Sequence, residues 1–233
     1  MALLGILETD TLYNDLVDDY QSYGRMFEHF FNRLHGGLSY RFYQVQQGEL
    51  PQPGDCDAYL ITGSKAGVYN DLPWISALSQ WIQQAHQRHE KISGICFGHQ
   101  ILAHSLGGSA AKSDKGWGIG VHTTEVVSHP GWLSDDTSHI RLIYSHQDQV
   151  QQLPEHASRL SRSKFCENAA FYIDQRVLAF QGHPEFSAEY LSRLLPRRRD
   201  SIGSQRYQQG MSTLSQTTDA DRVGRWLLQF FSL

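Results

Sequence analysis

A cysteine set between two glycines, Gly94-Ile95-Cys96-Phe97-Gly98-His99-Gln100-Ile101-Leu102, is where residue types and spacing in this 233-residue chain point most directly to chemistry. An apolar run precedes it and a helical pattern follows, so the expected setting is a strand, a tight turn and a helix. A side chain at such a turn stands above the carboxyl edge of the sheet, where the ligand crevices of open α/β sheets lie. Glycines on both sides permit the close backbone approaches that the turn imposes. The pattern Gly94-x-Cys96-x-Gly98 is that of a nucleophile elbow with sulfur in place of a serine hydroxyl. The positive end of the following helix favours a thiolate, the attacking species, and the free N–H of Phe97 can receive oxygen charge when a carbonyl is attacked. An isolated cysteine is most often a small buried hydrophobe; the glycines and the strand-to-helix position argue otherwise for Cys96. Cys56 lies between Asp55 and Asp57, whose charges oppose a thiolate, and Cys166 has no elbow around it, so both read as structural.

A nucleophile needs a base. Among 12 histidines, His183 in Gln181-Gly182-His183-Pro184-Glu185-Phe186 stands out, because it follows the apolar run Val177 to Phe180 and would emerge at a strand end as Cys96 does. Pro184 holds His183 extended. Residues two apart in extended chain point the same way, so Glu185 can reach one imidazole nitrogen while the other faces the sulfur. Nucleophile, base and orienting carboxylate are then present. Metal catalysis finds no comparable support: His99 and His104 are five apart on a helix, and the pairs His86/His89 and His122/His129 have no acidic or cysteine partners in a zinc pattern.

Short apolar runs alternating with amphipathic ones predict the elements that position these groups: an α/β fold with a mostly parallel central sheet flanked by helices. Leu3 to Leu7, Tyr40 to Val45, Ala58 to Thr62 and Lys91 to Ile95 read as strands. Tyr13 to Leu34 reads as one helix, and Asp71 as the cap of a second that begins at Pro73. Val121 to Val127, Ile140 to Tyr144, Ala169 to Ile173 and Val177 to Phe180 read as additional hairpin or edge strands. From Ser187 the tail reads as helical, interrupted by the polar stretch GSQRYQQG. The expected organisation is a single domain over 1–233, with 187–233 a helical C-terminal extension packed on it.

Bulk properties set bounds. Hydrophobic residues make up 40% and charged residues 19%, a globular balance, and the net charge of −4 argues against a nucleic-acid surface. The run Arg197-Arg198-Arg199 reads as a solvated helix end. Three cysteines at irregular spacing fit a reducing compartment, and MALLGILETD has neither the basic start nor the length of a signal peptide or membrane span, so the expected location is cytoplasmic with no membrane partner.

The two motifs together, with Thr62-Gly63-Ser64 and Ser145-His146-Gln147-Asp148, resemble the class I glutamine amidotransferases, the Cys-His-Glu group that includes the glutaminase domain of GMP synthase. The resemblance covers about residues 1 to 190, and the tail is similar to the extra helices of free-standing members. It implies a flavodoxin-like glutaminase fold with no cofactor, and glutamine or a γ-glutamyl compound as substrate. Cys96 would attack the γ-carboxamide carbon, His183 would protonate departing ammonia, and a γ-glutamyl thioester would be hydrolysed with Glu185 orienting the imidazole. The oxyanion donors would be Phe97 with Gly63 or Ser64. Many relatives have Gly-Gly-Pro where this chain has Gly63-Ser64-Lys65, but any residue except proline offers the N–H. Gln100, Ser145 and His146 are similar to the substrate-binding positions. No phosphate loop for ammonia activation occurs in the chain, so the resemblance implies a separate ammonia-accepting synthase; a γ-glutamyl hydrolase or peptidase using water is the alternative, and a catalytically silent regulatory subunit is an alternative of another class.

Overall fold

The computed structural model describes residues 2–231. Eleven strands and eight α-helices follow in the order β1 (Leu3–Glu8), α1 (Asn14–Tyr20), α2 (Tyr23–Leu34), β2 (Ser39–Gln44), β3 (Ala58–Ile61), α3 (Pro73–Gln87), β4 (Ile92–Ile95), α4 (Phe97–Ser105), β5 (Ser109–Lys112), β6 (Gly118–Val126), β7 (His139–His146), β8 (Asp148–Gln152), β9 (Ser158–Arg162), β10 (Ala170–Ile173), β11 (Val177–Phe180), α5 (Ala188–Leu194), α6 (Arg199–Ile202), α7 (Ser204–Ser212) and α8 (Ala220–Phe231).

Nine strands form one sheet in the order β2-β1-β3-β4-β11-β10-β9-β6-β7, and β5 pairs with β8 in a separate antiparallel ribbon. From β2 to β11 the neighbours run parallel; from β11 to β7 they run antiparallel. The parallel half reads as unbroken apolar runs because both its faces are covered. On one face α2 and α8 bury Phe27, Phe31, Trp226 and Leu227 against Leu4, Ile6 and Leu178. On the other, α3 and α4 bury Leu78, Ile82, Ile101 and Leu102 against Leu7, Ile61 and Val177. Each large side chain so buried contributes about 1.5–3 kcal/mol, which fixes β4 and β11 side by side. Their carboxyl ends carry Cys96 and the approach to His183.

Three expectations are corrected. The stripe from Tyr13 to Leu34 is two helices, because Gln21 takes φ 59° and Ser22 opens α2 by accepting the Arg25 N–H at 3.1 Å. The stripe continued across the break because α1 and α2 present Leu16, Tyr23 and Met26 to one cluster. Asp71 does not cap α3; the capping position is Leu72, with no side-chain hydrogen bond. The stretch GSQRYQQG breaks the tail only at Gly203, whose φ of 85° parts α6 from α7; Ser204–Ser212 is helical, with Gly210 against Ile119 of β6.

Candidate active site

The turn between β4 and α4 places Cys96 in a backbone conformation rare for a side chain, φ 56° and ψ −103°. Such strain persists only when the surroundings fix it. Here they do: a Cβ on Gly94 would lie 2.4 Å from the Gly98 carbonyl oxygen, and one on Gly98 would lie 2.2 Å from that of Ile61. Backbone fills the space on both sides. The Cys96 N–H donates to the Phe180 carbonyl at 2.9 Å, tying the turn to β11. Phe97 is the first helical residue, so its N–H has no acceptor within α4.

His183 comes from the other side of the same edge. Its N–H donates to the Ile143 carbonyl at 2.8 Å, and its ring stacks on Phe186 with centroids 3.8 Å apart and 7° between planes. Nδ1 lies 2.7 Å from Glu185 Oε1, with the two side chains 5% and 1% exposed. Burial works against charge on this imidazole, but the Glu185 carboxylate and the Cys96 sulfur, both bonded to the ring, outweigh it and hold the His183 pKa well above the ordinary 6.5. Charge-assisted bonds in a dry site are strong. Gly63 forms the floor: a Cβ there would stand 3.1 Å from His183 Cε1 and 3.6 Å from Cys96 Cβ. The sulfur of Cys96 therefore converges with an imidazole and a carboxylate that lie far from it in sequence.

The floor loop is itself fixed. Thr9, the residue after β1, donates through Oγ1 to the Gly63 carbonyl at 3.0 Å, and its hydroxyl lies 3.2 Å from Thr62 Oγ1. Asp10 accepts the Lys65 N–H at 2.7 Å and pairs with Lys65 Nζ at 3.0 Å. Thr9 and Asp10 are positioning residues that the sequence did not single out; Asp10 beside a strand end was the available signal.

Cys96 opens onto a pocket of about 480 Å³ lined by Ser64, Lys65, Gln100, Ser145, His146 and Asp148, with Tyr13, Lys112, Trp117, Arg197 and Arg198 completing its rim. A second cavity of about 20 Å³, bounded by Gly63, Cys96, Ser145, His183 and Arg198, lies on the imidazole side. Gln100, Ser145 and His146 thus line one pocket. The Gln100 amide nitrogen donates to the Asp148 carbonyl at 2.8 Å and to Gln181 Oε1 at 3.0 Å, so its carbonyl oxygen is left without a protein donor among the described residues. His146 Nδ1 contacts the Asp148 carbonyl at 2.9 Å, and burial pushes its pKa down to about 3. The solvated helix end expected at Arg197-Arg198-Arg199 is corrected in part, since the first two reach the pocket rim. The fold turns the segment after α5 back over the cavity, which no local pattern announces.

Of the other thiols, burial pushes Cys166 up to about 12, and Cys56 is raised first by burial, with Asp55 and Asp57 adding less than the sequence suggested. Among the described residues no group of three or more His, Cys, Asp or Glu is arranged to hold a metal ion, and no helix is long and apolar enough to cross a membrane.

A family model described as glutamine amidotransferase class-I matches residues 15–197. The chain is similar to γ-glutamyl peptidase 4 of Arabidopsis thaliana, 32% identical over 169 residues that make up 69% of this chain and 67% of that protein. It is also similar to a glutamine amidotransferase-like protein of Schizosaccharomyces pombe, 31% identical over 208 residues and 82% of each chain. Among solved structures, a glutamine amidotransferase from Thermotoga maritima superposes with a TM-score of 0.75 over 99% of this chain and 96% of that one, at 22% identity, a likeness of fold.

Proposed function

The chain belongs to the class I glutamine amidotransferase family, and from that premise we propose that it hydrolyses γ-glutamyl amide bonds through a thioester on Cys96. One observation carries the reading: the His183 ring, bonded to Glu185, meets the Cys96 thiol over Gly63 at the mouth of a roomy pocket. In this reading the thiolate attacks the γ-carbonyl carbon. The oxygen takes the electron pair and is met by the Phe97 N–H and by that of Gly63 or Ser64. The C–N bond breaks, and the departing nitrogen takes its proton from the His183 imidazolium. His183, held by Glu185, then removes a proton from water as the hydroxyl adds to the thioester carbon, and loss of the thiolate releases glutamate. Gln100, through its free carbonyl oxygen, and the backbone of Ser145 and His146 hold the glutamyl head group.

Pocket size bears on the substrate. About 480 Å³ is within the range that takes drug-sized ligands, so it has room for a glutamyl group and for a departing amino acid. This favours γ-glutamyl peptides, with water as acceptor, and agrees with the name of the Arabidopsis relative. The second reading is glutamine hydrolysis with ammonia passed to a separate synthase. The cavity beside His183, with room for about one water-sized group, suits ammonia as departing group. The test is to give purified protein glutamine and a panel of γ-glutamyl dipeptides and to measure glutamate and ammonia. Faster release from dipeptides supports the first reading, and turnover confined to glutamine supports the second. Turnover unchanged in Cys96→Ala would overturn both.

A further inference from the structure

The large pocket is lined by four cations, Lys65, Lys112, Arg197 and Arg198, against Asp148. Two of them are neutralised in place: Lys65 pairs with Asp10, and Arg197 pairs with Asp15. Lys112 exerts its charge on Asp148. Arg198 differs. Among the described residues no carboxylate lies within ion-pair distance of it; Nη1 donates to Ser145 Oγ at 2.9 Å and to the Ser145 carbonyl at 3.3 Å, and the guanidinium stands 5.7 Å from the centre of the Trp117 ring. These contacts fix a half-buried positive charge at the cavity without cancelling it. Desolvating a charge costs free energy unless a counter-ion is supplied, and a guanidinium offers a planar fork that matches a carboxylate.

Position decides which part of a ligand supplies that counter-ion. Arg198 borders both the large pocket and the small cavity that holds His183. The departing nitrogen takes its proton from His183, so whatever is bonded to that nitrogen lies on the His183 side of the sulfur. In a γ-glutamyl dipeptide the α-carboxylate carbon is two bonds from the departing nitrogen, about 2.5 Å away by standard backbone dimensions. Ammonia carries no such group.

We propose that Arg198 is a specificity residue, whose guanidinium pairs with the α-carboxylate of the amino acid departing from a γ-glutamyl peptide. The proposal rests on the γ-glutamyl chemistry assigned above to Cys96. Arg198 belongs to the short helical turn Leu195–Arg198 and is one residue past the last that the family model matches, so the selectivity is supplied at the edge of the shared region.

The experiment compares kcat/KM for γ-glutamylglycine and γ-glutamylglycinamide, which differ in the charge of the departing group, in the wild type, Arg198→Ala and Arg198→Lys. The wild type is expected to prefer the free acid at least tenfold. The preference falls to about one in Arg198→Ala and returns in part in Arg198→Lys. A merely structural role, through the anchor on Ser145, would lower both substrates together and keep the ratio; an unchanged ratio in Arg198→Ala therefore overturns the proposal. Equal cleavage of both substrates by the wild type overturns it too, while the chemistry at Cys96 stands. If neither dipeptide leaves a γ-glutamyl adduct on Cys96 while glutamine does, the proposal falls and the chemistry stands; if glutamine leaves none either, the two fall together.

Discussion

Replacing Glu185 by glutamine removes one charge and almost no volume from the pair that holds the His183 proton. Nδ1 and Oε1 are 2.7 Å apart and both side chains are nearly sealed from solvent. With charge centres about 4 Å apart and an effective dielectric near 20, their attraction is about 4 kcal/mol. At about 1.36 kcal/mol per tenfold change, the substitution lowers the proton affinity of the imidazole by roughly a thousandfold. Burial, which already opposes the charge, then prevails, and the ring becomes neutral near pH 7. The departing nitrogen loses its proton donor. On whichever γ-glutamyl substrate the wild type turns over, kcat/KM should fall by about 10²- to 10⁴-fold, the range for a lost general acid and base, with the thermal unfolding midpoint little changed. Nitrogen-15 NMR of the His183 ring between about pH 6 and pH 9 reads the proton directly: charged throughout in the wild type, neutral across most of that range in Glu185→Gln. An imidazole still protonated at pH 8 in the variant, or a kcat/KM within about threefold of wild type, would refute the reasoning.

Two further outcomes follow from the packing and the buried rings. Gly98→Ala should cost about 3 kcal/mol or more in urea unfolding, because its Cβ would meet the Ile61 carbonyl at 2.2 Å and backbone cannot swing aside; a cost under about 1 kcal/mol would contradict the close crossing at the elbow. Burial holds His99 and His146 neutral, with pKa values down to about 3. Their unfolded forms bind protons first, so the stability they contribute is present above about pH 6.5 and is lost as pH falls toward 3. Unfolding free energies that stay flat over that interval would exclude this account of the two rings.

The site motifs were legible in the sequence because each was local. Gly94, Cys96 and Gly98 announced a turn where backbones cross, and His183-Pro184-Glu185 announced a side chain and its partner two residues on. The strand Val177–Phe180 came out with both ends right, since a short apolar run bounded by Gln175-Arg176 and Gln181-Gly182 admits little else. Polar strands were another matter: β8, Asp-Gln-Val-Gln-Gln, exists through its pairing with β5, and β9 through its pairing with β10 and β6. Neither carries an apolar pattern of its own. Thr9, Asp10 and Arg198 were missed for the same reason. Each acts on a loop or pocket from a distant part of the chain, Thr9 on residue 63 and Arg198 on residue 145, and only the folded sheet brings them within reach.

The central claim is that the sulfur of Cys96 carries the acyl group. Mixing the protein with a γ-glutamyl substrate, quenching in acid within the first turnovers and mapping the adduct by peptide mass spectrometry tests it most directly. A γ-glutamyl group on Cys96, accumulating in His183→Ala variants that form it slowly but resolve it more slowly still, is the predicted result. Substrate cleaved with no adduct on Cys96, or with the adduct on Cys56 or Cys166 in its place, would contradict it.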